Sequence, residues 1–251
     1  MKESGIENLV TAEQLDLRET RKLELAANLN GVRSQIDSAA KDAGRDPSEI
    51  TLIGVTKNYP ASDAVLLVEL GLRDLGENRA QEGAKKAKES AGLIEGQINW
   101  HFIGQLQRNK VRSVLAFADA IHSVDRLSLV ETLKVEIARI ANSPRLLIQI
   151  NLNPELDGRG GANSGDLLSL ADAIVANGLF LGGVMSVVPI GMEPERAFAE
   201  IALMHSDLLR RHPTALWRST GMSGDFESAI RAGATHVRIG SSILGSRHLL
   251  Q

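Results

Sequence analysis

The chain has 251 residues, 43% hydrophobic and 24% charged, with a formal net charge of −3. This is the composition of a globular protein with length for one large core, and so weak a charge offers no field for nucleic acid or an anionic membrane surface. Cysteine is absent and aromatics make up only 3%, which excludes disulfides, thiolate catalysis, cysteine-ligated zinc and an extended base-stacking platform, and fits a reducing compartment.

Residues 1–11 read as a loose terminus. Residues 1–20 are polar and acidic, unlike a secretory leader, and no apolar run is long enough to span a bilayer, so the expected location is the cytoplasm. From Ala12 to about Ala43 the chain predicts a long helix, with Leu15, Leu17, Leu23, Leu25, Leu29, Val32 and Ile36 assigned to its apolar face. Gly44 and Pro47 end it. Strand-like segments follow at 51–56, 72–76, 98–103, 119–122, 145–151, 181–187, 215–219 and 235–239. Helical stretches are predicted between most of them, at 61–70, 79–90, 105–117, 126–141, 164–177, 194–211 and 224–232. Eight strands alternating with helices predict an α/β fold, a (β/α)8 TIM barrel with an extra N-terminal helix; a doubly wound open sheet is the alternative. No linker interrupts 45–247, so residues 1–251 read as a single domain. Asn153–Ser164 is the most loop-like stretch and follows the fifth strand, on the face where barrels carry their sites.

Lys57 ends the apolar run Leu52-Ile53-Gly54-Val55-Thr56 and is stopped by Pro60. An amine at the C-terminal mouth of an interior strand is partly desolvated, which disfavours the ammonium and frees the amine to attack a carbonyl. That is the chemistry of a Schiff base, including one with pyridoxal phosphate; a solvated strand-end lysine is the alternative. Asn78, after the second strand, is placed to line the same mouth or to cap the next helix. His101 alternates with Trp100 and Phe102, so it points into the barrel, and a hydrogen-bonded core histidine is the favoured reading. No second histidine or carboxylate stands at metal-ligand spacing from it. After the seventh strand comes Ser219-Thr220-Gly221-Met222-Ser223-Gly224-Asp225, and the eighth closes on Val237-Arg238-Ile239-Gly240-Ser241-Ser242. Glycines and small hydroxyls let backbone N–H groups approach an anion, and these two loops hold phosphate in many barrels. Arg238 adds a fixed charge with planar donors.

Taken together, GVTK at 54–57, GENRAQE at 76–82, WHFIGQLQRNK at 100–110, IHSVDR at 121–126, GGVMSVVP at 182–189 and TGMSGDFESAIRAGATHVRIGSSILG at 220–245 resemble the YggS/PROSC family of pyridoxal phosphate homeostasis proteins. The resemblance runs in order from about residue 45 to 247. It implies the barrel of fold-type III pyridoxal phosphate proteins, like the N-terminal domain of alanine racemase, and a carrier or regulator of the cofactor without established turnover. It makes Lys57 the Schiff-base lysine and places Ser219, Gly240 and Ser241 at the phosphate, with Arg238 near the phosphate or the pyridine nitrogen. Asn78 and Met185 then line the cofactor. The implied partners are pyridoxal 5'-phosphate and the apo-enzymes that depend on it, and the expected form is a monomer.

Two departures stand out. Thr220 replaces a methionine common in relatives, adding either a phosphate donor or a packing change. Glu155 is followed by Leu156-Asp157-Gly158-Arg159, so a lysine common there in relatives is missing, and Arg159 cannot form a Schiff base. The competing reading is an amino-acid racemase on the same barrel. It requires a second acid/base opposite the lysine; the one tyrosine, Tyr59, stands beside Lys57 and is expected to be a packing or rim residue, and no additional C-terminal β-domain is expected.

Overall fold

A computed structural model describes residues 12–141, 143–153 and 160–245. The expected loose terminus and the Glu155–Arg159 departure lie outside these residues. Helix α1 spans Ala12–Asp42. It stops as expected, because Gly44 takes a φ of 68° and the N–H groups of Gly44 and Arg45 close back onto the carbonyls of Lys41 and Ala40.

Eight parallel strands follow and close on themselves in sequence order, which settles the barrel against the open sheet. They are β1 Thr51–Val55, β2 Asp74–Glu77, β3 Asn99–Phe102, β4 Ala120–Val124, β5 Arg145–Ile150, β6 Leu181–Ser186, β7 Trp217–Ser219 and β8 His236–Ile239. Around them run α2 Ala61–Glu69, α3 Ala80–Ser90, α4 Val111–Leu115, α5 Leu127–Ile137, α6 Leu167–Ala176, α7 Pro194–Arg211, α8 Phe226–Arg231 and α9 Ser241–Leu244. No helix among the described residues is long and apolar enough to cross a membrane.

The strands alternate, and their outward residues build the apolar core against the helices. Ile121, Leu146, Ile148, Leu181 and Val184 pack in one cluster with α4–α7, while Leu52, Leu75, Trp100, Val237 and Ile239 pack in another with α1, α2 and α8. Helix α1 joins the second cluster through Leu25, Leu29, Val32 and Ile36, whose 4-3-4 spacing keeps them on one face. Each such side chain contributes up to about 1.5–3 kcal/mol by leaving water. Leu15, Leu17 and Leu23, expected on that face, are instead exposed. Leu23 lies two residues from Leu25, roughly 200° around the helix at 3.6 residues per turn. The expected helix at 105–117 shrinks to α4, preceded by a tight turn at Arg108–Lys110. Gly104 holds this segment at the mouth, where a Cβ would come within 2.0 Å of the Asn78 carbonyl oxygen.

Inside the barrel, layers of branched aliphatic residues are the usual filling. Here the inward positions carry Asp74, His101, His122, Trp217, Ser219, His236 and Arg238, joined by hydrogen bonds and ring contacts.

Candidate functional site

At the C-terminal mouth, Lys57 stands on a turn immediately after β1. Buried charges behind the turn fix it. The Thr56 hydroxyl donates to Glu77 Oε1 at 2.6 Å, and the Lys86 ammonium donates to the Thr56 carbonyl at 2.6 Å while ion-pairing with Glu77. The N–H of Asn58 donates to Glu82, which also lies 3.5 Å from Lys86. Asn58 sits at a φ of 65°, a left-handed conformation that asparagine tolerates better than most residues. Glu77 and Lys86 are both buried, and burial pushes the Glu77 carboxyl up against the opposing pull of Lys86 and Thr56.

The neighbouring strand β8, which pairs directly with β1, delivers Arg238 in register with Ile53. Its guanidinium donates to the Ser219 carbonyl at 2.6 Å, the Ser219 hydroxyl at 2.8 Å and the Ser186 carbonyl at 2.8 Å. All three acceptors are neutral, and Arg238 makes no ion pair among the described residues. Burial lowers its pKa to about 10, so it remains a cation at neutral pH. Asp225 offsets this burial only from a distance; a buried cation without a direct ion-pair partner is costly, and it stands ready to meet an anion or a strong acceptor. The loops after β7 and β8 meet beside it, with the Ser241 and Ser223 hydroxyls 3.3 Å apart. Gly221 lets the first of these loops pack closely on α8: it adopts a φ of 96°, and a Cβ there would come within 2.6 Å of Ala229.

Lys57, Arg238, Gly240 and Ser241 line one cavity of about 490 Å³, together with Tyr59 and Ser223. That volume suits a small cofactor. The other sequence candidates sit elsewhere. Ser219 and Met185 are buried beneath the mouth, Ser219 as the anchor of Arg238. Thr220 is buried, and its Oγ1 has no hydrogen-bond partner. Asn78 lines an adjoining cleft of about 250 Å³ with Arg79, Gln105 and Lys110; its side chain makes no capping bond to α3. Tyr59 is a rim residue whose hydroxyl donates to the Gly245 carbonyl at 2.8 Å.

Sequence reasoning missed Ser223, Gly224 and Met222, although they stand in the segment that it singled out. It also assigned no role to Glu77, Lys86 or His122. His122 offered a signal, a histidine beside Ser123 in an otherwise apolar strand, whereas the Glu77–Lys86 pairing joins a strand to a helix and has no sequence period. Nor did anything in the sequence show that Arg21 and Asn28 of α1 donate to the Leu244 and Ile243 carbonyls, each at 3.0 Å, bracing α9 beside the cavity.

No protein-family model matches the chain. Among curated proteins, it is 39% identical to the pyridoxal phosphate homeostasis protein of Mycobacterium leprae, covering 95% of this chain and 98% of that one. It is 40% identical to the protein of the same name from Escherichia coli K12, covering 89% and 97%. Among solved structures, PipY of Synechococcus elongatus PCC7942 with pyridoxal phosphate bound aligns with a TM-score of 0.77 at 31% identity, over 88% of this chain and all of that one. Alanine racemase of Clostridium difficile aligns with a TM-score of 0.64 at 16% identity, over 90% of this chain and 57% of that one, a likeness of fold alone.

Proposed function

Because the chain belongs to the family of pyridoxal phosphate homeostasis proteins, we propose that it binds pyridoxal 5'-phosphate at the barrel mouth and carries or buffers the cofactor. The observation that carries this reading is the convergence of the Lys57 amine and the unneutralised Arg238 guanidinium on one cavity. The residues present fit the group: an amine, a cradle of Ser223, Gly224, Gly240 and Ser241, a buried cation, and the unpartnered Thr220 hydroxyl close behind. When bound, the cofactor supplies an aldehyde that an amine can hold as a Schiff base. Lys57 is the attachment point. Ser223, Ser241 and the backbone N–H groups of their loops hold phosphate oxygens, and Arg238 donates to the phosphate or to the ring nitrogen. Asn78, Met185, Ser219 and Thr220 support these groups from behind or beside them.

In this reading residues 1–251 act as a single binding domain in the cytoplasm, as a monomer, and apo-enzymes that need the cofactor receive it. The racemase alternative requires a second acid/base at the mouth, and the Tyr59 hydroxyl is already engaged by Gly245. The test is the absorbance spectrum of the purified protein before and after borohydride, followed by peptide mapping. The expected outcome is a visible band, lost in Lys57→Ala, with the reduced label on Lys57. A label found mainly on another lysine overturns the assignment.

A further inference from the structure

We propose that Asp74, His101, His122 and Ser219 form a one-directional hydrogen-bond chain through the barrel interior, which positions Arg238 and makes the mouth responsive to the opposite, floor end of the barrel. The consequence for the cofactor rests on the function proposed above; the chain itself does not.

Its links are short and continuous. Asp74 Oδ1 lies 3.0 Å from His101 Nε2, His101 Nδ1 lies 2.9 Å from His122 Nε2, and His122 Nδ1 lies 2.9 Å from Ser219 Oγ. Arg238 Nη1 closes it by donating to Ser219 Oγ at 2.8 Å. Asp74 opens β2 on the floor, where its 27%-exposed side chain borders a cavity of about 510 Å³ shared with Arg33, Thr51 and Arg73. Arg238 borders the cavity at the mouth. The chain therefore joins two cavities on opposite faces.

The chemistry of its ends sets its direction. A carboxylate only accepts, so His101 presents Nε2–H to Asp74. A neutral His101 then accepts at Nδ1, so His122 presents Nε2–H and accepts the Ser219 proton at Nδ1. Ser219 is left with a lone pair for Arg238, which only donates. Burial drives the His122 imidazole well below its ordinary pKa, helped by the Arg238 cation, and so keeps it neutral. Burial alone raises the Asp74 carboxyl, but the hydrogen bonds it accepts from His101 and from the Asn99 amide, at 3.2 Å, oppose that and hold Asp74 below its ordinary range. The other groups facing the chain are Arg145 on β5, Trp217 on β7 and His236 on β8, while β1 and β6 present Ile53, Val55, Gly183 and Met185.

A second proton on His101 turns Nδ1 into a donor. His122 must then accept at Nε2 and donate from Nδ1 to Ser219, whose own proton loses its acceptor. The anchor of Arg238 thus depends on a charge at the floor. Asp74, His101 and His122 are positioning residues in this scheme.

The test reads histidine tautomers by long-range proton–nitrogen NMR at neutral pH, without added ligand. The expected result is Nε2–H on both His101 and His122; an Nδ1–H tautomer or an imidazolium at His122 overturns the chain. Asp74→Asn, nearly isosteric at a part-exposed site, offers His101 an amide donor as well as an acceptor. It is expected to shift His122 toward Nδ1–H and to weaken pyridoxal phosphate binding about three- to tenfold, with little change in melting temperature. A folded Asp74→Asn protein with wild-type affinity overturns the coupling. Ser219→Ala is expected to weaken binding in the same sense, and wild-type affinity in that variant likewise overturns the coupling. A wild-type protein that binds no pyridoxal phosphate defeats the proposed function, while the tautomers still decide the chain.

Discussion

Two adjoining parts of the mouth, joined where β1 pairs with β8, hold their cations in opposite ways. On the β1–β2 side Lys86 is buried against Glu77, and the pair is used to fix the turn that carries Lys57. On the β7–β8 side Arg238 is buried against neutral oxygens alone. Charge cancelled inside the protein builds a scaffold, whereas charge left uncancelled remains for a ligand. Either group alone is a buried base; their partners distinguish the structural one from the binding one.

The largest effect is expected from removing the counter-charge on the scaffold side. Glu77→Ala leaves the Lys86 ammonium buried without its nearest carboxylate, a loss of about 3–5 kcal/mol. At roughly 2–4 °C per kcal/mol for a chain of this size, calorimetry is expected to show a fall in melting temperature of roughly 6–20 °C. A shift of a degree or two would mean that Glu82 and the Thr56 carbonyl suffice for Lys86, and the contrast between the two sides would weaken.

On the binding side, Arg238→Ala removes charge-assisted hydrogen bonds to the ligand, each worth about 1.5–3 kcal/mol. Affinity for pyridoxal phosphate is expected to fall about tenfold or more, with a smaller loss of stability than in Glu77→Ala. Titration calorimetry beside a thermal melt separates the two. Unchanged affinity in a folded variant would remove Arg238 from the site.

Acid is expected to act first on the histidine side. Burial lowers the His236 imidazole from its ordinary 6.5 to about 3. The unfolded chain therefore takes up that proton first. Its contribution to stability is whole above about pH 6.5 and is lost progressively as the pH falls toward 3. From pH 7 to pH 5 this one group costs about 2 kcal/mol. Denaturant titrations at the two pH values are expected to show the loss, and His236→Gln to reduce it. An equal loss in both proteins would assign the acid sensitivity elsewhere.

The smallest effect is expected at the rim. Tyr59→Phe removes one hydrogen bond, to the Gly245 carbonyl, for about 1 kcal/mol, and leaves attachment at Lys57 intact. A large change in the absorbance of bound cofactor would give the single tyrosine a direct part at the site.

Much of this is legible in the amino-acid sequence. Strand period, glycine and proline punctuation and the order of the elements are local properties, so the eight strands, the end of α1 near Gly44 and the placing of Lys57 and Arg238 at strand ends follow from the chain alone. Alternation alone also turned His101 inward and Trp100 outward. Local reading failed where a periodic pattern outran its tertiary neighbour. Leu15, Leu17 and Leu23 look like part of a helix face, but burial requires something to pack against, and they remain exposed.

The partners of the buried polar groups were decided only by the closed barrel. Closure brings His101, His122, Ser219 and Arg238, spread over four strands, into one line of hydrogen bonds. The packing of α3 on the strand just before it sets Lys86 against Glu77, nine residues away, and the pairing of β7 with β8 brings the Ser223 and Ser241 hydroxyls within 3.3 Å. The sequence by itself determined which residues carry charge, lone pairs or an amine, and at which strand ends they stand. Which charges are cancelled and which remain for a ligand depends on distances of a few ångströms between residues far apart in the chain, and only the tertiary structure sets those.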